Sequence, residues 1–244
     1  MSQDQAPALT LERGVATLTL RRPDEHNRID AADPPAILRM LDEVAARPDL
    51  VALVITGSGQ RTFCAGYTLG QIESKLDRRF EDMLDAIERF PLPTICALNG
   101  SVYGGGTDLA MACDFRIGVQ GSRLFMPAAK FGLHYYPGGL RRFVTRLGPC
   151  ATKKIFLTAR TLEADEMLRV GFLSELVDAQ DLSSRVDAYV CSLRECEAGV
   201  VRSMKSHIDG LAAGTWEEPQ GRIEYERSLR SEGLRCRLAE LSRS

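Results

Sequence analysis

Histidine is scarce in this chain: three residues, at 26, 134 and 207, among 244. They do not cluster. The seven cysteines, at 64, 96, 113, 150, 191, 196 and 236, show no paired C-x-x-C spacing, so no metal site is expected. An odd set of thiols without that spacing predicts reduced, mostly buried cysteines. An excess of positive charge is also missing. Lysine plus arginine number 31 against 33 acids, a formal net charge of -2, which argues against a nucleic-acid partner. There is no run of about eighteen apolar residues, so no membrane span is expected. The opening MSQDQAPALTLERG carries acids and no apolar core, and is not read as a signal peptide. No phosphate loop or dinucleotide fingerprint is found, so nothing implies ATP or NAD. Internal repeats and low-complexity linkers are lacking too. These absences leave a cytoplasmic protein as the expectation.

What is present is a full complement of core-forming residues, 44% hydrophobic. The length fits one large domain, or one with a small appendage. Residues 14–20, GVATLTL, alternate as a strand, with 9–11 as its hairpin partner. Asp33-Pro34 reads as a helix start, and Ile37, Leu38, Leu41 and Val44 supply its apolar stripe. The uninterrupted LVALVIT of residues 50–56 reads as a strand covered on both faces, as does 94–98. A helix is predicted over 71–89, a short one over 108–113, and a strand over 115–119. Helical patterns resume at 149–157 and 163–169. This alternation predicts an α/β fold with crossover connections. From about residue 196 the chain turns charged and helical, at 197–213 and 222–241, with thin apolar stripes. A core over 1–195 and a helical region over 196–244 are expected. Helices of that kind cap a site or join subunits.

Two glycine-containing turns stand out: Cys64-Ala65-Gly66-Tyr67, and Asn99-Gly100 through Gly104-Gly105-Gly106-Thr107-Asp108. Glycine lets backbone approach a ligand closely. Two such turns can aim two N–H groups at one oxygen, the geometry of an oxyanion hole. Tight strand-to-helix packing is the plainer reading of either turn alone.

These segments, with Arg22-Pro23-Asp24-Glu25-His26-Asn27, Leu53 to Gly57, Ala112-Cys113-Asp114, Leu157-Thr158-Ala159, Ala164 and Gly171-Phe172-Leu173, are collinear over roughly residues 9–180. Together they resemble the crotonase superfamily, the enoyl-CoA hydratases and isomerases. The resemblance implies a spiral of ββα repeats with a helical C-terminal region, and a homotrimer or homohexamer. It implies a coenzyme A thioester as substrate, with no further cofactor. It places the oxyanion hole at the backbone N–H groups of Tyr67 and Gly105. Substrate contacts fall on Arg28, Ala65, Gly66, Tyr67, Leu69, Gly104, Gly105, Ala128 and Leu133.

Family hydratases use two glutamates. Here Asp108 stands at the first place and Ala128 at the second. Alanine moves no proton, so two-acid hydration is in doubt. Isomerisation needs one acid/base, and Asp108 is the candidate; a carboxylate satisfied by nearby N–H groups is the alternative. His134-Tyr135-Tyr136-Pro137-Gly138-Gly139 is the second unusual cluster. His134, the only histidine in a segment that reads as pocket wall, suits acid/base work or the bracing of its loop. Tyr135 loosely matches a tyrosine of decarboxylating relatives. Tyr67 would line the acyl pocket or add a hydroxyl to it. Arg28 would meet a phosphate of the nucleotide or remain a solvated turn residue, with Lys205 and Arg222 as late contributors. Decarboxylation of a malonyl-type thioester, and acyl-CoA binding without turnover, stay open beside the hydratase or isomerase reading.

Overall fold

The computed structural model describes residues 5–241. Alternation over 15–20 turns Ala16, Leu18 and Leu20 inward, and β2 (Val15–Leu20) pairs antiparallel with β1 (Ala8–Glu12). After α1 (Asp33–Ala45) the chain returns as β3 (Ala52–Gly57), parallel to β2. A regular pattern then follows. The chain steps from the first sheet into a second one as β4 (Thr62–Cys64), then runs through α2 (Ile72–Lys75) and α3 (Arg78–Glu88). It repeats as β5 (Thr94–Leu98), β6 (Ser101–Tyr103) and α4 (Gly105–Ala112), and again as β7 (Phe115–Val119), β8 (Arg123–Phe125) and α5 (Pro137–Thr158). Each turn of this ββα spiral adds one strand to each sheet. The larger sheet has the order β1-β2-β3-β5-β7, closed by a later strand.

The remaining elements are β9 (Leu162–Glu163), α6 (Ala164–Arg169), β10 (Glu175–Val177), α7 (Leu182–Glu195), α8 (Ala198–Ala213), α9 (Glu218–Leu229) and α10 (Glu232–Leu241). β10 completes the larger sheet beside β7. One face of that sheet packs on the spiral helices, and the other meets Val186 and Val190 of α7. Cover on both faces is why β3 and β5 are apolar without alternation.

Three helical expectations are corrected. The single helix over 71–89 breaks at Leu76, and Asp77 caps a new helix by accepting from the Arg79 N–H at 3.0 Å. The helix read over 149–157 begins earlier, at Pro137, and bends at Gly148-Pro149. The one read over 222–241 is two, α9 and α10. In the first and third cases side-chain periodicity continues across a local backbone break; in the second, Gly148-Pro149 reads as a helix start although the helix already runs from Pro137.

The cysteines are free, as expected, but not mostly buried: Cys64, Cys96 and Cys113 are buried, and Cys150, Cys191, Cys196 and Cys236 are exposed. The exposed four lie on helices α5, α7 and α10 or just after α7, whose outer faces the chain leaves in solvent. Burial pushes the Cys64 thiol up to about 12, so it stays protonated and unreactive at neutral pH. A thiol-reactive probe should therefore titrate four groups in the native protein and seven after unfolding. Fast labelling of Cys64 would contradict the packing described.

Candidate active site

The two turns singled out in the sequence meet in space. Gly66 has φ +81, a conformation that disfavours side chains, and a Cβ there would fall 2.5 Å from Gly105 N. A Cβ on Gly105 would lie 3.5 Å from Tyr67 N. The N–H groups of Tyr67 and Gly105 thus stand side by side. Neither has a backbone acceptor among the described residues; the neighbouring bonds run from Ile29 N to Gly66 O, from Thr68 N to Ile29 O, and from Gly104 N to Phe125 O. Gly105 opens α4, so its N–H is one that the helix leaves without an acceptor.

Both residues line a cavity of about 890 Å³. Arg28, Ala65, Leu69, Gly104, Ala128, Leu133, His134 and Tyr135 line it as well. Every lining residue falls between 25 and 136. Phe80 forms the wall beside the paired amides, edge-on to Tyr67 with ring centroids 5.5 Å apart. The Tyr67 hydroxyl donates to the Lys75 carbonyl at 2.8 Å, so the cavity meets the ring of this residue as wall. His26 also lines the cavity, a correction to the expectation that His134 alone would. Positive φ at His26 and Asn27 folds that turn back against the cavity. The His26 ring is tied to the Thr62 hydroxyl at 2.9 Å, and Asn27 donates to Ser58 O and Thr62 O.

Asp108 is placed differently. It is fully buried in the first turn of α4, behind the cavity wall. Arg142, also fully buried, holds both of its oxygens, with Nε to Oδ1 at 2.9 Å and Nη2 to Oδ2 at 3.1 Å. The hydroxyl of Tyr136 donates to Oδ2 as well. Tyr136 does line the cavity, so its hydroxyl is the link between Asp108 and that space. Burial, together with the nearby Tyr135 and Asp108, raises the Tyr136 phenol well above its ordinary value of about 10, leaving it a neutral donor. Arg142 Nη1 reaches on to Asp85 at 2.7 Å and Glu88 at 3.1 Å.

Tyr135 stacks on Tyr136 with centroids 4.5 Å apart and is buried, yet its hydroxyl has no hydrogen-bond partner among the described residues. Burial, with the Asp108 charge, raises its pKa too. His134 is exposed, and its Nδ1 lies 2.8 Å from the Tyr135 carbonyl. Arg28 sits at the rim, paired with Glu25 at 3.0 Å and Asp30 at 3.1 Å. Lys205 lies away from the cavity, buried against Asp114 at 2.6 Å, Asp209 at 2.9 Å and the Glu88 carbonyl. Arg222 stacks over Tyr225 on α9.

Four residues of this site were not singled out for it in the sequence: Phe80, Glu81, Tyr136 and Arg142. Phe80 reads as one member of an apolar stripe. Arg142 sits among Arg141 and Arg146 in a segment that resembles a solvated helix face, and nothing local marks it as buried. Tyr136 carried a signal as part of the ring-bearing cluster.

A ββα spiral with two free amides at the base of an apolar cavity defines a crotonase-type protein. The sequence profile of the enoyl-CoA hydratase/isomerase family matches residues 10–227, and the chain belongs to that family. It is 32% identical to the crotonyl-CoA hydratase of Syntrophomonas wolfei, over 89% of this chain and 93% of that one. It is also 32% identical to the carnitinyl-CoA dehydratase of Proteus mirabilis, over 73% and 70%. Among solved structures, an enoyl-CoA hydratase/isomerase family protein from Hyphomonas neptunium superposes with a TM-score of 0.90 at 28% identity, covering 98% of this chain and 97% of that one. No helix among the described residues is long and apolar enough to cross a membrane.

Proposed function

We propose that this protein is an acyl-CoA enzyme that holds a thioester carbonyl between the N–H groups of Tyr67 and Gly105 and stabilises the enolate formed there. The pair of unpartnered amides facing an apolar cavity carries the reading. Negative charge on the thioester oxygen grows only as the α-proton leaves, so fixed donors at that point favour the transition state over the bound substrate. The positive end of α4 adds to the same field. Arg28 at the rim suits a phosphate of the nucleotide. Asp108 acts as acid/base through the Tyr136 hydroxyl, which hands the proton across the wall. The absence of a carboxylate at Ala128 favours a proton shift along the acyl chain over the addition of water. A homotrimer or homohexamer belongs to the same reading, supported by the exposed apolar side chains Met204, Ile208 and Leu211 of α8 and Ile223 and Leu229 of α9.

One observation favours a second reaction. The buried hydroxyl of Tyr135 is a neutral donor without an acceptor, suited to protonating the carbanion left by decarboxylation of a malonyl-type thioester. Incubation with 2-enoyl-, 3-enoyl- and malonyl-type CoA thioesters in deuterated water separates the two. Double-bond migration with deuterium at the α-carbon is the expected result. Carbon dioxide release from the malonyl thioester alone would transfer the function to decarboxylation. Tight binding with neither product nor exchange would leave a binding protein.

A further inference from the structure

Three carboxylates line the cavity. Glu25 is paired with Arg28 at 3.0 Å, and Asp77 with Arg79 at 2.6 Å. The third, Glu81, makes no ion pair or hydrogen bond among the described residues. It is half-buried in the first turn of α3. Phe80, Met83, Leu84 and Ile87 anchor that helix in the core, which fixes the direction of the next side chain around it. The anchor lies at the paired amides themselves: Phe80 Cζ would be 2.8 Å from a Cβ on Gly105. The free carboxylate is therefore carried on a rigid helical turn beside the oxyanion pair. Leu69, Ile72, Leu76 and Phe80 line the same cavity, beside the charged Asp77 and Arg78.

We propose that Glu81 is a catalytic acid/base of this cavity, supplying from α3 the carboxylate that Ala128 lacks. The inference rests on the thioester-enolate reading, and within it assigns the C2 proton to Glu81 in place of the relay through Tyr136 to Asp108, whose two oxygens Arg142 holds. On a 3-enoyl thioester, the Glu81 carboxylate takes a proton from C2. The C2–H electron pair forms the C1–C2 double bond, and the carbonyl pair moves onto the oxygen held by Tyr67 and Gly105. When the enolate collapses, the carbonyl re-forms, the C1–C2 pair becomes the C2–C3 double bond, and the C3–C4 double bond opens so that its pair takes the proton back from Glu81 at C4. The double bond has moved by one carbon, and no co-reactant is consumed.

Burial, reinforced by Asp85 and Asp82 on the same helix, raises the Glu81 pKa, while Arg78 and Arg142 pull it down. Tyr136, His134 and the Glu25–Arg28 and Asp77–Arg79 pairs face the same space. A base with a raised pKa is active above that value and silenced by protonation below it. The acid limb of the pH profile should accordingly lie above the ordinary glutamate range of about 4.3.

The test compares wild type, Glu81→Gln and Asp82→Asn in α-deuterium wash-in, in thioester Kd and in the pH profile. Asp82 is exposed and paired with Arg78. Glu81→Gln should lose about 10²–10⁴-fold in exchange, keep thioester affinity within threefold, and lose the acid limb. Asp82→Asn should match wild type in exchange at its plateau and in affinity and should keep an acid limb, displaced only by the loss of the Asp82 charge beside Glu81. Wild-type exchange in Glu81→Gln would overturn the role of Glu81 while leaving the enolate reading intact. A loss of exchange that merely follows a loss of affinity would make Glu81 a binding residue and overturn it equally. Wild type without exchange on any thioester would remove both together.

Discussion

Replacing Arg142 by methionine should lower the free energy of unfolding by about 3–5 kcal/mol, the usual consequence of removing one partner from a buried ion pair. Arg142 has no solvent exposure and reaches three carboxylates, Asp108, Asp85 and Glu88. Its guanidinium pKa is raised: burial alone would lower it, but the hydrogen bonds and charge of Asp108 and Asp85 outweigh burial. Glu88 retains Arg141 and Arg146, and Asp85 retains Arg89 and some solvent. Among the described residues Asp108 would retain the Tyr136 hydroxyl as its hydrogen-bond partner, in a fully buried position. The unpaired charge, more than the lost packing, sets the size of the effect. Urea unfolding measures it as a fall in midpoint at constant slope. A second replacement, Asp108→Leu in the same chain, removes the orphaned charge and should recover much of the loss. A change below about 1 kcal/mol in the single variant, the range of an exposed pair, would show that the network is solvated.

Gly66→Ala should reduce α-proton exchange by about 10²–10³-fold, the cost of losing one donor from an oxyanion hole. A Cβ there meets Gly105 N at 2.5 Å, Tyr103 O at 2.9 Å and Gly106 N at 3.0 Å. All three are backbone atoms, so the start of α4 must move away from Tyr67 N. Backbone strain at positive φ is a separate effect, and Gly121→Ala isolates it: that glycine has φ +76 and nothing within 4 Å of a built Cβ. Both variants should lose some stability, and only Gly66→Ala should lose exchange. If the two behave alike in exchange, the amide pair is not what holds the oxygen.

The α/β alternation was legible because its signals are local; the ββα spiral itself was implied only by the family resemblance that those segments carry. Apolar runs at 50–56 and 94–98, the alternation at 15–20 and the two glycine turns each describe a few consecutive residues, and the order of such pieces leaves few ways to pack. Backbone geometry at Gly66 is equally local, since positive φ beside a close backbone neighbour asks for a residue without Cβ. The helix break at Leu76 was hidden because side-chain spacing continues through it, whereas the bend at Gly148 was read as a helix start and the helical turns from Pro137 that precede it were missed.

Asp108 shows where such reading stops. Its place in the glycine turn was visible; its partner, Arg142, is thirty-four positions away and looks like surface in its own segment. Only the packing of α5 against α4 removes that guanidinium from water, and with it the carboxylate that the turn presents. Glu81 is the converse case: an ordinary helix glutamate by sequence, placed in a cavity wall with no direct ion pair among the described residues. Which carboxylate is neutralised and which is free depends on distance and exposure between segments far apart in the chain. Charge and desolvation act through space, while turns and strands are written in neighbouring residues.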